Sequence, residues 1–207
     1  MLLQVHPDNP QPRLIKQIVE CLKDGGIIVY PTDTIYGLGC DIMQHKAIER
    51  ICRIKNIDPQ KAQLSFICSS LSNLSDYTKS IDTPLYRMLK NYLPGPYTFI
   101  LPAQRQMPSY IKELYLDKKE VKTLGIRIPS HTILSGILDL LGEPLLTSTL
   151  QLPNSEHPLN SEDLLAETLR LDVDAVIEAG HCSDIGTTVL DLTTNPPLLI
   201  REGIGEW

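Results

Sequence analysis

The 207 residues carry 19 Lys and Arg against 25 Asp and Glu, a formal net charge of −6, with 42% hydrophobic and 21% charged residues. That composition belongs to an ordinary folded chain and excludes a disordered one, while the acidic balance excludes a whole-molecule field that would gather nucleic acid. No apolar run approaches the roughly 20 residues of a membrane span.

In chain order, Leu14, Ile15, Ile18, Val19 and Leu22 recur at helical spacing, which predicts a helix from Pro12 to Lys23 ended by Asp24-Gly25-Gly26. Ile27 to Tyr30 is β-branched and apolar on both faces, as a central strand is. A helix from His45 to Lys55, a strand from Leu64 to Cys68, a helix from Pro84 to Leu93 and a strand from Tyr97 to Leu101 follow. Then come a strand from Leu124 to Ile128, a helix from Ile133 to Gly142, a strand from Pro144 to Thr149 and a helix from Ser161 to Leu171. Strands at Ala175–Ile177, Thr188–Leu192 and Leu198–Arg201 close the series. The alternation predicts one α/β domain over residues 1–207 with a mixed sheet, because the late strands have short connections. Five widely spaced cysteines without a CxxC, and an amino end without a basic leader, set the expectation of reduced thiols in a cytoplasmic protein.

The first segment with chemistry in it is Ile27 to Asp41, "IIVYPTDTIYGLGCD". Its two glycines lack both the GK[ST] of a phosphate loop and the third glycine of a dinucleotide fingerprint, so Gly37 and Gly39 read as a tight strand-to-helix turn. The hydroxyls of Tyr30, Thr32, Thr34 and Tyr36 nevertheless gather just beyond a buried strand, where α/β sheets place ligands. Arg127, in "LGIRIPS", lies inside an apolar strand, and a buried arginine needs an anionic or carbonyl partner. A structural salt bridge and a ligand contact both remain open for it. Thr147, Ser148, Thr149 and Gln151 follow two leucines, and Thr187 and Thr188 precede a late strand that ends in Arg201. Arg53 and Lys55 end a helix, which suits a solvated face as well as a site. The five histidines are scattered, so neither a triad nor a zinc site is supported. Arginine, lysine and hydroxyls without a nucleophile fit phosphoryl or nucleotidyl transfer, in which the protein positions charged groups.

"YPTDTIYGLGCD", "PGPYTFIL", "GIRIP" and "TTVLDL" followed by "IREG" stand in the order and spacing of the YrdC-like family, and "VHPDNPQPRLI" with "RICRIK" resembles its YciO branch. The resemblance spans nearly the whole chain. It implies a twisted, open α/β sheet with a concave groove, and a relation to enzymes that make threonylcarbamoyl-adenylate from L-threonine, bicarbonate and ATP for tRNA modification. It also implies ATP as substrate with Mg²⁺, no metal ligand among the protein side chains, and no membrane. By the same resemblance Thr32, Arg127, Thr147 and Thr187 hold L-threonine. Lys55, Thr149, Gln151 and Arg201 face the nucleotide, with Lys55 and Arg201 the catalytic pair.

The chain departs from that pattern in its nucleotide half. Ile57 stands where the KxR arginine is expected, Gln151 where SxN has asparagine, and Glu202 where proline follows the last arginine. Two other readings therefore stand beside the synthase. One is a divergent paralogue that hydrolyses or otherwise uses an acyl-adenylate. The other is a double-stranded RNA or tRNA binder, using the lysines of Arg105 to Lys122.

Overall fold

The computed structural model describes residues 1–58, 64–74, 76–104, 123–152, 155, 157–161, 164 and 172–207. The order is β1 (Leu2–Gln4), α1 (Pro12–Lys23), β2 (Ile27–Tyr30), β3 (Gly37–Asp41), α2 (His45–Ile54), β4 (Ser65–Ile67) and α3 (Leu71–Leu74). It continues with α4 (Thr83–Tyr92), β5 (Tyr97–Pro102), β6 (Thr123–Arg127), α5 (Thr132–Leu141), β7 (Leu145–Thr149), β8 (Ala175–Glu178), β9 (Thr188–Asp191) and β10 (Leu198–Arg201). The expected helix from Ser161 to Leu171 and the basic segment from Arg105 to Lys122 lie largely or wholly outside the described residues. No described helix is long and apolar enough to cross a membrane.

The strands form one open, mixed sheet in the order β1-β8-β2-β3-β7-β4-β6-β5-β9-β10. Two parallel pairs (β1 with β8, β2 with β8) open it, three antiparallel pairs join β2, β3, β7 and β4, and parallel pairs return at β4 with β6 and β5 with β9. On one face α1 and α5 lay Ile15, Ile18, Val19, Ile133, Ile137 and Leu141 over Ile28, Tyr30, Ile67 and Leu145. On the other, α2 sets Ala47, Ile48, Ile51 and Cys52 against Val29, Leu38, Cys40, Phe66, Phe99 and Leu146. Burying large aliphatic side chains on both faces, at about 1.5–3 kcal/mol each, is what holds the sheet between its helices.

Local chemistry explains the element ends. Pro12 opens α1, where its missing N–H would have gone unpaired in any case. Asp82 caps α4, its carboxylate accepting the Leu85 N–H at 2.8 Å. Gly142 ends α5 at φ 80, a left-handed cap that glycine adopts without strain.

One expectation is corrected. Gly37 and Gly39 do not make a turn into a helix; they lie in β3, paired antiparallel with β2, Tyr30 opposite Gly37 and Ile28 opposite Gly39. The connection from Pro31 to Tyr36 is the turn, and the glycines serve packing. A Cβ on Gly37 would lie 2.8 Å from the Tyr30 ring, and one on Gly39 2.9 Å from that ring and 2.9 Å from the Leu146 carbonyl oxygen.

Candidate active site

Three strand ends and the Pro31–Tyr36 connection bring the candidate residues together. After β2, Thr32 closes a turn on itself: its Oγ1 donates to the Ile35 carbonyl at 2.7 Å and accepts the Thr34 N–H at 3.0 Å. This folds Asp33 and Thr34 toward the end of β6, where Arg127 stands. The Arg127 guanidinium donates through Nη2 to Asp33 Oδ1 at 3.1 Å and to Thr34 Oγ1 at 3.1 Å. Asp33 Oδ2 accepts the Ser130 N–H at 2.9 Å, so the carboxylate is pinned from two sides.

The structural partner that a buried arginine requires is therefore Asp33, three residues after Tyr30 in the same motif. Arg127 is only 9% exposed, and its Nε is buried with no partner. Burial pushes the guanidinium below its ordinary value, while Asp33 and the nearby Tyr30 oppose that shift. A buried donor with no acceptor is costly, of order 1–3 kcal/mol, and an oxygen of a bound anion would remove the cost. His131, the residue before α5, also has a buried, unpartnered Nδ1; burial lowers its pKa and Asp33 raises it.

Thr147 sits on β7 and its hydroxyl is hydrogen-bonded to the Tyr30 phenol. In register, Gly39 stands opposite Thr147, Thr147 opposite Ser65, and Ser65 opposite Gly125, a row of small side chains across β3, β7, β4 and β6. A Cβ on Gly125 would come within 2.6 Å of Ser65 Oγ. The row leaves that stretch of the sheet low, between the bulk of Arg127 and the Tyr30 ring.

At the far side Thr187, expected on the amino-acid side, meets Arg201, expected on the nucleotide side. Arg201 bends back from the exposed edge strand, donating from Nε and Nη2 to the Thr187 carbonyl at 3.1 and 2.9 Å and from Nη2 to Thr187 Oγ1 at 3.0 Å. Thr187 Oγ1 also pairs with Thr98 Oγ1 at 2.8 Å. The Arg201 charge is felt at Arg127, so the two guanidinium groups belong to one neighbourhood.

Lys55 lies elsewhere in the network. Its ammonium donates to the main-chain carbonyls of Thr149 at 2.9 Å and Gln151 at 2.7 Å, tying the end of α2 to the exit of β7. Burial lowers its pKa. Gln151 in turn donates from Nε2 to the Ser155 carbonyl at 2.9 Å. Ile57, at the expected arginine position, packs on the hydrophobic core beside α2. Thr32, Arg127, Thr147, Thr187 and Arg201 thus surround one region, while Lys55 and Gln151 are engaged with backbone.

Residues that the sequence reading passed over are Asp33, Ser65, Thr98 and Asn160. Asp33 was findable, because a strand arginine demands a carboxylate. Ser65 and Thr98 are polar residues in apolar strands, a weak signal. Asn160 had none: it is buried, donating to the Cys182 carbonyl at 2.9 Å and to Asp184 Oδ1 at 3.0 Å and accepting the Cys182 N–H at 2.9 Å. It holds the loop in which Cys182 touches the Thr32 carbonyl.

With that geometry in hand, comparison with known proteins is informative. The Sua5/YciO/YrdC family model, described as telomere recombination, matches residues 20–203. The chain belongs to this family. Among its members, the uncharacterized protein YciO of Escherichia coli strain K12 is 43% identical over 202 residues, 98% of this chain and 95% of that protein. The crystal structure of E. coli YciO matches with a TM-score of 0.88 at 42% identity, covering 100% of this chain and 97% of that one. A threonylcarbamoyl-AMP synthase of Pyrococcus abyssi is 27% identical over 183 residues, 88% of this chain and 52% of that protein. P. abyssi Sua5 in complex with L-threonine has the same fold, with a TM-score of 0.85 at 24% identity over 98% of this chain and 57% of that one. The Sua5/YciO/YrdC fold and the relation to threonylcarbamoyl-AMP synthases therefore stand.

Proposed function

We propose that this chain binds L-threonine and ATP and acts as a nucleotidyltransferase that makes threonylcarbamoyl-adenylate. The observation that carries the reading is the buried, unpartnered Nε of Arg127 beside the Thr32–Thr34 turn, a donor set suited to an amino-acid carboxylate. The synthase relative and the threonine-bound structure of its fold support it. Threonine nitrogen and bicarbonate condense to an N-carboxylate with loss of water. One of its oxygens forms a bond to the α-phosphorus of ATP as the bond to the bridging oxygen breaks, and pyrophosphate leaves with the electron pair. Arg127, Thr32 and the hydroxyls of Thr147 and Thr187 hold the amino acid, and Arg201 meets the phosphates. Proximity and fixed charge supply the rate, with no covalent enzyme intermediate. Among the described residues no three His, Cys, Asp or Glu side chains are placed to share a cation, so Mg²⁺ would travel on the phosphates. The test is purified protein with ATP, L-threonine and bicarbonate: threonine-dependent pyrophosphate and an adenylate product support the proposal, and the absence of both refutes it.

A second reading has its own observation. Lys55 is held by two carbonyls, Ile57 packs on the core and Glu202 adjoins Arg201, so the nucleotide half is less positive than the synthase pattern asks. A chain that takes a ready-made acyl-adenylate, and releases AMP from it, needs less charge there. Supplying threonylcarbamoyl-adenylate and measuring AMP separates the two.

A further inference from the structure

Tyr30 has no role in the reading above, yet its side chain is hydrogen-bonded to Thr147, one of the residues that reading uses. Tyr30 ends β2 with its ring laid across β3, over Gly37 and Gly39, and with its phenol on the Thr147 hydroxyl of β7. Neither glycine tolerates a Cβ without moving that ring, and the Leu146 carbonyl blocks the other way out at Gly39. Two glycines in a buried strand each cost stability, because they give up backbone entropy and pack nothing. Here they make room for one ring.

We propose that Tyr30 is a positioning residue of the amino-acid subsite, donating its phenol hydrogen to Thr147 and so directing the Thr147 hydroxyl, as a donor, at an acceptor oxygen of the bound amino acid. The inference rests on the proposed L-threonine site. Three observations support it. The phenol is fully buried, and burial pushes its pKa up to about 12, so it stays a donor at every working pH. The other acceptor near Thr147 is the Leu38 carbonyl at 3.5 Å, at the limit of a hydrogen bond, which leaves the Thr147 hydrogen free for a better partner. β4 runs between β7 and β6, with Ser65 opposite Thr147 and Ile67 opposite Arg127, so the hydroxyl that Tyr30 directs and the cation that would meet the carboxylate stand two strands apart in one sheet. A core tyrosine would need none of this; a phenylalanine would fill the same space over the glycines.

The experiment is calorimetric titration of L-threonine, and separately of ATP, into the wild type, Tyr30→Phe, Thr147→Val and the double variant, with thermal melts alongside. Tyr30→Phe keeps the ring over Gly37 and Gly39. It should weaken L-threonine by about fivefold to tenfold, the worth of one directed hydrogen bond, and leave ATP affinity unchanged. The double variant should be no worse than Thr147→Val, because Tyr30 acts through Thr147. Gly39→Ala, which displaces the ring and keeps the phenol, should lower L-threonine affinity in the same direction and serves where Tyr30→Phe does not fold. Unchanged L-threonine affinity in the folded variants, or losses that add in the double variant, overturns the inference and leaves the site standing. A wild type that takes up no L-threonine removes the site, and this inference with it.

Discussion

Arg127 is the residue on which the account turns, because it is nine-tenths buried, paired on one nitrogen and unpaired on another. Arg127→Lys keeps the charge and loses the unpartnered Nε donor that would meet the carboxylate, so L-threonine affinity should fall by tenfold or more in a calorimetric titration. Equal affinity would mean that the guanidinium serves only the fold. Full removal is a harsher change: Arg127→Ala strands Asp33 in a buried setting and should cost about 3–5 kcal/mol of stability. His131 adds a pH signature. Burial depresses its folded pKa below 6.5, so as pH falls through that value the unfolded chain takes up a proton that the fold resists. Its contribution is complete above about pH 6.5 and is lost on acidification. Melts of the wild type at pH 7.5 and pH 5 should differ more than those of His131→Gln, and identical differences would rule the residue out as a source of acid sensitivity.

At the scale of elements, the segment after β10 decides where Arg201 points. Gly203 donates its N–H to Thr188 Oγ1 at 3.1 Å, Ile204 donates to the Gly186 carbonyl at 3.0 Å, and Tyr97 donates its phenol to the Glu206 carbonyl at 2.7 Å. A Cβ on Gly203 would lie 2.3 Å from the Thr187 carbonyl carbon and 2.4 Å from the Gly186 oxygen, both backbone atoms that cannot swing aside. Gly203→Ala should therefore push this segment off β9, costing about 1–3 kcal/mol by overpacking and releasing Arg201 from Thr187. A melting temperature and an ATP affinity equal to those of the wild type would contradict that.

Most of these elements could be read from the sequence. The helix at Pro12–Lys23 and the strands at Ile27–Tyr30 and Leu198–Arg201 fall where periodicity puts them, because apolar spacing and a following Gly or Pro are local signals. β3 was not legible: Gly-Leu-Gly has poor strand propensity, and it is held as a strand by pairing with β2 on one side and β7 on the other, with the Tyr30 ring over its glycines, which are tertiary facts. β1, three residues long, is held by pairing with β8 and carries no pattern of its own. The site divides in the same way. Arg127 and the hydroxyl clusters announced themselves as polar groups at apolar strand ends. The carbonyl grip on Lys55 did not, since it depends on where β7 stops relative to α2.

For the whole molecule, the proposed site sets an amino-acid side, with Arg127 and the threonine hydroxyls, next to a nucleotide side where Ile57 stands in place of the arginine of the synthase pattern. If that arginine stabilised the leaving pyrophosphate, its replacement by Ile57 would cost on the order of 3 kcal/mol, a hundredfold or more in rate. The fold is that of the synthase relatives, so the difference lies in the charge it presents. The most direct measurement is therefore pyrophosphate release by the purified protein with ATP and bicarbonate, with and without L-threonine. The account predicts release that depends on L-threonine and that, in Arg127→Lys, needs L-threonine at tenfold or more higher concentration. Release independent of L-threonine, or none at all where a threonylcarbamoyl-AMP synthase turns over, would contradict it.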